Sequence, residues 1–331
     1  MPFNFISIFR KIKREPKIRQ MIGKKNVNKK QIQLTLTMFL PMASVCVSTS
    51  TSENYKTAVR SFIRFNGGAD ILLTLINADM MKQYELWLRK SGVCPNTSSC
   101  YMRSLRAIYN KAVAKRQIPD KKPFNTVFSG NEKTQKRSVD VDDIRRIKSL
   151  SLPDGSVQAL TRDLFLFSFY AMGMPFIDMA YLKKSRIKDD FLTYYRHKTG
   201  KQVRIKLEKC MSDIISKYED KHTDYIFPII CITNKQSKER SYGSALSCYN
   251  RTLKTLSQKA GIKRKLTSYV ARHSWASIAY GKNIELSTIS KALGHTDTQA
   301  TLIYINDIND TQLTKANKKI LKEIFPPLCK R

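Results

Sequence analysis

Two neighbouring stretches near the C-terminal end, 269-YVARHSWASIAY-280 and 291-KALGHTDTQATLIY-304, decide how this chain is interpreted. In the first, Arg272 lies among apolar residues, and a buried guanidinium needs an anion to balance its charge. In the second, His295 follows a Leu-Gly turn and precedes Tyr304 by nine residues. A basic residue in apolar surroundings, followed by a histidine and a tyrosine at this spacing, marks these two stretches as a candidate functional region.

Two stretches further upstream belong with these. Residues 191–207 show strand periodicity interrupted by 197-HKTG-200, which predicts a hairpin with Lys198 at its tip. The stretch 170-YAMGMPFID-178 lies in a long, apolar, helix-rich region and carries the acidic Asp178. Each of the four stretches is weak as a signal alone, but their order along the chain is specific as a set.

As a set, the four stretches resemble the tyrosine recombinase (phage integrase) family, and most of all its short Bacteroides-type integrases and DNA invertases. The resemblance covers roughly residues 54–325. It implies a mainly α fold with a small β-hairpin or sheet (α+β), in which an N-terminal helical SAM-like core-binding domain precedes a larger catalytic domain. It also implies a site-specific recombinase that cuts and rejoins double-stranded DNA through a 3′-phosphotyrosyl intermediate, in integration, excision or inversion.

The resemblance assigns a role to five residues. Tyr304 corresponds to the nucleophile, Arg272 to the second catalytic arginine and His295 to the histidine that contacts the scissile phosphate. Lys198 corresponds to the general acid on the hairpin, and Tyr269 stands where the family usually has a histidine. Four of the five also have a structural explanation: Tyr304 as a core tyrosine, Arg272 as a surface arginine, His295 as a helix-capping histidine and Lys198 as a turn lysine. No cofactor and no metal is implied, because the phosphotyrosyl link keeps the energy of the cut bond.

One expected group is missing from this pattern. The first catalytic arginine of the family follows the glycine of the stretch 170–178, where this chain has Pro175, or precedes it in some relatives, where this chain has Met172. Loss of one such donor costs several kcal/mol of transition-state stabilisation. Lys183, Lys184 and Arg186 are nearby candidates for its replacement. Asp178 corresponds to an acidic position that orients neighbouring basic groups.

The missing arginine leaves an alternative function open. The chain could be a DNA-binding protein derived from a recombinase, with cleavage impaired or lost. A general type IB topoisomerase is disfavoured, because the small helical domain and the short length match integrases better.

Composition supports a nucleic-acid partner. The 331 residues include 60 Lys and Arg against 26 Asp and Glu, a net charge of +34. Such an excess predicts a polyanion partner, although a solvated basic surface is the alternative. The resemblance also implies that the protein forms a homo-oligomer, a tetramer in the synapse. It implies neither a membrane partner nor a small-molecule substrate. Seven scattered cysteines without a C-x-x-C pair indicate neither a zinc site nor a disulfide framework and favour the cytoplasm.

Four segments are expected along the chain. Residues 1–50 are basic and predict a poorly ordered arm, or upstream sequence if Met42 is the true start. Residues 34–48 mimic a secretory signal, but they contain a proline and are too short to span a bilayer. The helical core-DNA-binding domain spans 51–120, a linker spans 121–138, and the catalytic domain spans 139–331 with an amphipathic C-terminal tail.

One helix of the small domain predicts a DNA-contacting face. Its apolar residues fall on a 3.6-residue stripe that begins at Tyr101 and ends at Ala112. The opposite face carries four basic residues, which we expect to bind DNA phosphates, or alternatively to be solvated: Arg103, Arg106, Lys111 and Lys115.

Overall fold

The chain divides into two compact units between Lys133 and Thr134, each with its own hydrophobic core. The structure, a computed structural model, describes residues 34–132, 137–230 and 241–302. The mainly helical fold with one small β-sheet, predicted from the sequence, is confirmed. Within these ranges, no helix is both long enough and apolar enough to cross a membrane.

The first unit is helical because apolar residues recur at helical spacing between polar caps. Thr35, Ser48 and Asn77 each accept a hydrogen bond from the backbone N–H three residues later, which satisfies a donor at a helix start. A short 3-10 turn covers Leu73–Leu75. The α-helices of this unit are α1 (Leu36–Ala43), α2 (Thr49–Phe65), α3 (Ala78–Lys90) and α4 (Pro95–Ala114).

The structure differs from the expectation for residues 34–50, which were assigned to a poorly ordered arm. Helix α1 lies in this range, and its residues Leu36, Phe39 and Ala43 are completely buried in the core of the first unit. The spacing of three and four residues places these side chains on one helical face. A start at Met42 would therefore remove two core side chains. The rest of the proposed arm, residues 1–33, lies outside the described residues.

The expected linker over 121–138 also differs where the structure describes it. Phe124 and Val127 are buried in the first core, and the backbone N–H of Lys121 donates to the Tyr109 hydroxyl at 3.0 Å. Burial of the Phe124 ring and the Val127 side chain lowers the free energy by more than the conformational entropy of a free linker would. Residues 121–132 therefore belong to the first unit.

The second unit combines a buried helix with a small sheet. Helix α6 is apolar on most of its surface, and its side chains from Leu164 to Phe167 are all buried. A 3-10 turn covers Lys184–Arg186. The other elements are α5 (Val141–Lys148), α6 (Val157–Tyr170), α7 (Phe176–Ala180), β1 (Ile187–Lys188), β2 (Phe191–Tyr195), β3 (Gln202–Lys206), α8 (Lys209–Lys217), α9 (Tyr242–Lys259), α10 (Val270–Gly281), α11 (Leu286–Leu293) and α12 (Gln299–Leu302).

The described strands of this unit form an antiparallel sheet in the order β1-β2-β3. Thr193 pairs with Arg204 at the centre of the β2–β3 hairpin. Leu192 and Tyr194 face the core, as do Val203 and Ile205 across from them, and this alternation is the period-2 pattern of a half-buried hairpin. The pairing of β2 with β3 thereby fixes the position of the hairpin tip, residues 197–200, relative to the core.

Candidate active site

Arg272 is the centre of the site, and it is 1% exposed. Its Nη1 donates to the Gly173 carbonyl at 3.0 Å and its Nη2 to the Leu293 carbonyl at 2.6 Å. Gly173 has φ +74°, and a Cβ there would lie 2.8 Å from the Arg272 Cα, so only glycine allows this approach. The carbonyls fix the orientation of the guanidinium but do not neutralise its charge.

His295 is placed by the end of helix α11. Gly294 is in the left-handed conformation, its N–H donates to the Lys291 carbonyl, and the His295 N–H donates to the Ser290 carbonyl at 3.0 Å. These two bonds form a Schellman motif, which is favoured by glycine at this position. The sequence Leu-Gly-His therefore ends the helix and aims the imidazole back toward Arg272.

The contacts of His295 define its tautomer. Its Nε2 lies 2.9 Å from the Arg272 Nη2, and because a guanidinium only donates, Nε2 accepts. Nδ1 then carries the hydrogen and donates to the Thr301 Oγ1 at 2.8 Å. Burial, followed by the charges of Arg272 and Arg196, lowers the pKa of His295 to about 4. The imidazole is therefore neutral at pH 7.

The β2–β3 hairpin tip packs on the same loop. Thr199 Oγ1 donates to the Gly294 carbonyl at 3.2 Å, and Lys201 Nζ donates to the His295 carbonyl at 2.8 Å. Lys198 is exposed, and its charge contributes to lowering the pKa of His295. The structure thus brings the predicted hairpin lysine near the predicted histidine with a solvent-accessible side chain.

Tyr269 lies at the start of helix α10 and is 48% exposed. It precedes Arg272 by three residues, and residues at this spacing are neighbours on a helix surface. Its phenol is therefore accessible from solvent.

The expected substitutes for the missing arginine make other contacts. Lys183 lies 6.0 Å from the ring centre of Tyr225, Lys184 donates to the Asp220 carbonyl, and Arg186 lies over the Tyr195 ring. These contacts direct the three cations toward other loops and toward the outer face of the hairpin. Met172 and Pro175 form the turn between α6 and α7, where Met172 has φ +55°.

Arg196, which the sequence patterns did not single out, is a further cation in this site. Its Nη1 is bound to the Asp178 Oδ2, and the side chains of the two residues are 7% and 1% exposed. The other oxygen of Asp178 accepts the His197 N–H at 2.9 Å. One signal could have found Arg196: it continues the inward positions of strand β2, two residues after Tyr194.

The four predicted DNA-binding residues lie on helix α4 of the first unit. Arg103 donates to the Asn131 Oδ1 at 3.0 Å, and Arg106 donates to the Phe124 carbonyl. Lys111 donates to the Ala43 carbonyl at 2.6 Å, and Lys115 is exposed just after the helix. Three of the four cations therefore hold segments of their own unit, which the helical pattern did not reveal.

Tyr304 lies outside the described residues, which end with helix α12 at Leu302. The last part of α12 is tied to the site, because Thr301 is completely buried and bound to His295. The predicted C-terminal tail also lies outside the described residues.

Comparisons with known proteins agree with this architecture. Residues 38–131 match the phage integrase SAM-like domain, and residues 137–310 match the phage integrase family. The chain is 21% identical to the tyrosine recombinase XerD of Listeria innocua, across 85% of this chain and 94% of the relative. It is 24% identical to the tyrosine recombinase XerA of Thermococcus kodakarensis, across 82% and 89% of the two chains.

Solved structures show the same fold. A lambda integrase fragment (residues 75–356) superposes with a TM-score of 0.63 at 18% identity, covering 84% of this chain and 97% of the fragment. The Tn1549 transposon integrase superposes with a TM-score of 0.66 at 11% identity, covering 87% and 100%. The two family matches follow each other along the chain, and the phage integrase match alone covers more than half of the 331 residues. This chain therefore belongs to the phage integrase family of tyrosine recombinases.

Proposed function

We propose that this enzyme cuts and rejoins double-stranded DNA at specific sites, in integration, excision or inversion, with Tyr304 as the nucleophile. The observation that carries the proposal is the Arg272–His295 pair, joined at 2.9 Å, under a hairpin tip that presents Lys198. This arrangement concentrates positive charge in a partly buried site, where it stabilises a developing phosphorane most strongly.

The proposed step is balanced without a cofactor. The Tyr304 oxygen forms a bond to phosphorus and gives its proton to a solvent water, while the bond from phosphorus to the 5′-oxygen breaks. Arg272 holds a non-bridging oxygen, and Lys198 delivers a proton to the leaving 5′-oxygen. The Tyr269 hydroxyl donates a hydrogen bond to the phosphate, and neutral His295, whose Nε2 accepts from Arg272, orients the guanidinium that binds the phosphate.

The place of Tyr304 in the chain supports its assignment. Thr301 is fixed against His295, and three further residues extend at most about 11 Å. The proposed nucleophile therefore follows, by three residues, a residue that contacts the site.

The charge excess and the named complexes of relatives support the partners. The net charge of +34 favours a polyanionic partner. Lys115 is proposed as an exposed contact to DNA phosphates. Arg103, Arg106 and Lys111 are proposed as further phosphate contacts, made with the donor hydrogens that their bonds within the first unit leave over. Lambda integrase has been solved as a dimer bound to a core site and as a tetramer bound to a Holliday junction. We propose a tetramer on DNA for this chain as well, acting in the cytoplasm.

Trapping of a covalent intermediate tests the function. The full chain is incubated with a nicked duplex that carries the repeats flanking its own gene, so that the cut strand is lost and rejoining is prevented. Denaturing electrophoresis should show a protein–DNA adduct that Tyr304→Phe abolishes. Tyr225→Phe is the matched control, because it retains the ring beside Lys183 and should leave the adduct unchanged. Binding without an adduct would overturn the proposal and favour a DNA-binding protein without cleavage.

A further inference from the structure

Phosphoryl transfer in this site needs more than one guanidinium. The transition state spreads negative charge over two non-bridging oxygens, while Arg272 already donates one Nη1 hydrogen and both Nη2 hydrogens within the protein. Arg272 supplies one such group. The turn at 172–175, which packs on Arg272 through Gly173, carries no second one.

Arg196 contacts the helix that follows this turn. It extends from the end of strand β2, and its Nη1 binds Asp178 on helix α7, which begins directly after Pro175. Asp178 is itself fixed by the His197 N–H and is 1% exposed. A guanidinium is therefore held against the segment that lacks an arginine of its own.

Arg196 also borders His295. A Cβ on Gly294 would lie 2.7 Å from the Arg196 Cγ and 3.2 Å from its Cδ, so the stem of the arginine runs along the glycine that precedes His295. The positive charges of Arg272 and Arg196 both act on the His295 imidazole. The two guanidinium groups therefore lie near the same histidine, each held in place by a different part of the unit.

Arg196 retains an unused hydrogen-bond donor. Its Nε is buried and has no hydrogen-bond partner among the described residues. A buried N–H without an acceptor is costly, and native proteins usually satisfy such groups or use them in binding. The Asp178 carboxylate has taken up Nη1, so the free edge of the guanidinium is the one that contains Nε.

We infer that Arg196 supplies the second guanidinium of the active site and that its free edge binds a non-bridging oxygen of the scissile phosphate. The inference rests on the proposed function. Asp178 acts as a positioning residue that fixes the guanidinium. The alternative is an ion pair that only stabilises the second unit, and the experiment must separate the two.

A substrate with an uncharged scissile group distinguishes binding of the phosphate by Arg196 from a purely stabilising ion pair. The nicked duplex is prepared with an ordinary scissile phosphate and with a methylphosphonate, in which an uncharged methyl group replaces one non-bridging oxygen. A residue that neutralises charge on the phosphate becomes dispensable on the neutral substrate, whereas a residue needed for folding remains necessary on both. Both methylphosphonate diastereomers are tested, because the two non-bridging positions face different groups.

For Arg196→Ala, we expect adduct formation on the phosphodiester to fall by about 100-fold to 1000-fold. On at least one methylphosphonate diastereomer, it should match the unsubstituted enzyme within about threefold. Arg196→Lys keeps the positive charge and a bond to Asp178. Its rate of adduct formation should therefore fall less on the phosphodiester, and it should also return to that of the unsubstituted enzyme on the neutral substrate. Arg204→Ala is the matched control on strand β3, where the guanidinium lies 3.6 Å from the Phe191 ring centre, and it should not change the ratio of the two rates.

Three outcomes overturn the inference. Arg196→Ala could react normally on the phosphodiester, or both Arg196 variants could lose activity equally on both substrates. The third outcome is that the unsubstituted enzyme forms no adduct on either substrate, which refutes the proposed function as well. Since that failure appears in the unsubstituted enzyme and the others only in the variants, the two hypotheses fail in distinguishable ways.

Discussion

Replacement of Gly294 by alanine tests the packing on which the site depends. Gly294 has φ +64°, and an alanine in this region costs about 1 kcal/mol. The added Cβ would also lie 2.7 Å from the Arg196 Cγ and 3.0 Å from the Val203 Cγ2. Overpacking of this kind costs about 1–3 kcal/mol. We therefore expect Gly294→Ala to destabilise the second unit by about 2–4 kcal/mol.

Gly200→Ala separates the two contributions. Gly200 has φ +66°, close to that of Gly294, but a Cβ there would meet nothing within 4 Å. Its replacement should cost only the backbone contribution, about 1 kcal/mol. The difference between the two variants, about 1–3 kcal/mol, then measures the contact of position 294 with Arg196 and Val203.

The assay follows unfolding of the second unit alone. The chain has two tryptophans, Trp87 in the first unit and Trp275 on helix α10, so Trp87→Phe leaves one fluorescent reporter. Urea titration in this background gives the unfolding free energy of each glycine variant. Equal values for Gly294→Ala and Gly200→Ala, within about 0.5 kcal/mol, would refute the close approach of Arg196 to Gly294.

Three further changes probe other parts of the structure. Phe39→Ala should destabilise the first unit by about 3–5 kcal/mol, measured by urea unfolding with Trp87 as reporter. His295→Gln should flatten the pH dependence of stability below pH 7. The pKa of His295 is about 4 in the folded protein against an ordinary 6.5, so its contribution to the free energy of unfolding is complete above pH 6.5 and is lost as pH falls to about 4. Because the ring is half-buried, the loss is less than about 1.4 kcal/mol per pH unit. Asp163→Ala should cost about 3–5 kcal/mol in urea unfolding of the second unit, because it leaves Arg162 and Tyr218 without their buried partner.

Each of these changes has a matched exposed control. Met38 is 58% exposed on the same helix as Phe39, and its replacement by alanine should change stability by less than about 0.5 kcal/mol. His222→Gln, at an exposed histidine, should change stability by less than about 0.5 kcal/mol. Asp142→Ala breaks an exposed ion pair with Arg145 and should cost less than about 1 kcal/mol. A control effect as large as that of its buried counterpart would contradict the burial described above.

Local patterns were sufficient for much of this architecture. The Leu-Gly-His turn predicts a helix end followed by an aimed imidazole, and Gly294 and His295 form such an end. The period-2 pattern of residues 191–207 predicts the hairpin, and β2 and β3 follow it. These features depend on residues close in sequence, so the sequence expresses them directly.

Contacts distant in sequence account for what was missed. Arg196 is one basic residue among several around the hairpin tip, and its role depends on Asp178 and Gly294, which lie on other elements. Helix α1 was assigned to a basic arm because the charges of the first 33 residues dominate the composition of that region. The i, i+3 pair Leu36 and Phe39 was the available signal for a buried helical face.

The bonds of Arg272 have a consequence for when its guanidinium becomes oriented. Its carbonyl partners lie 99 residues earlier in the chain, at Gly173, and 21 residues later, at Leu293. During synthesis, a nascent chain that has just completed helix α10 therefore has the Gly173 carbonyl but still lacks Leu293, the second group that orients the arginine. The guanidinium is thus oriented fully only after helix α11 has been synthesised.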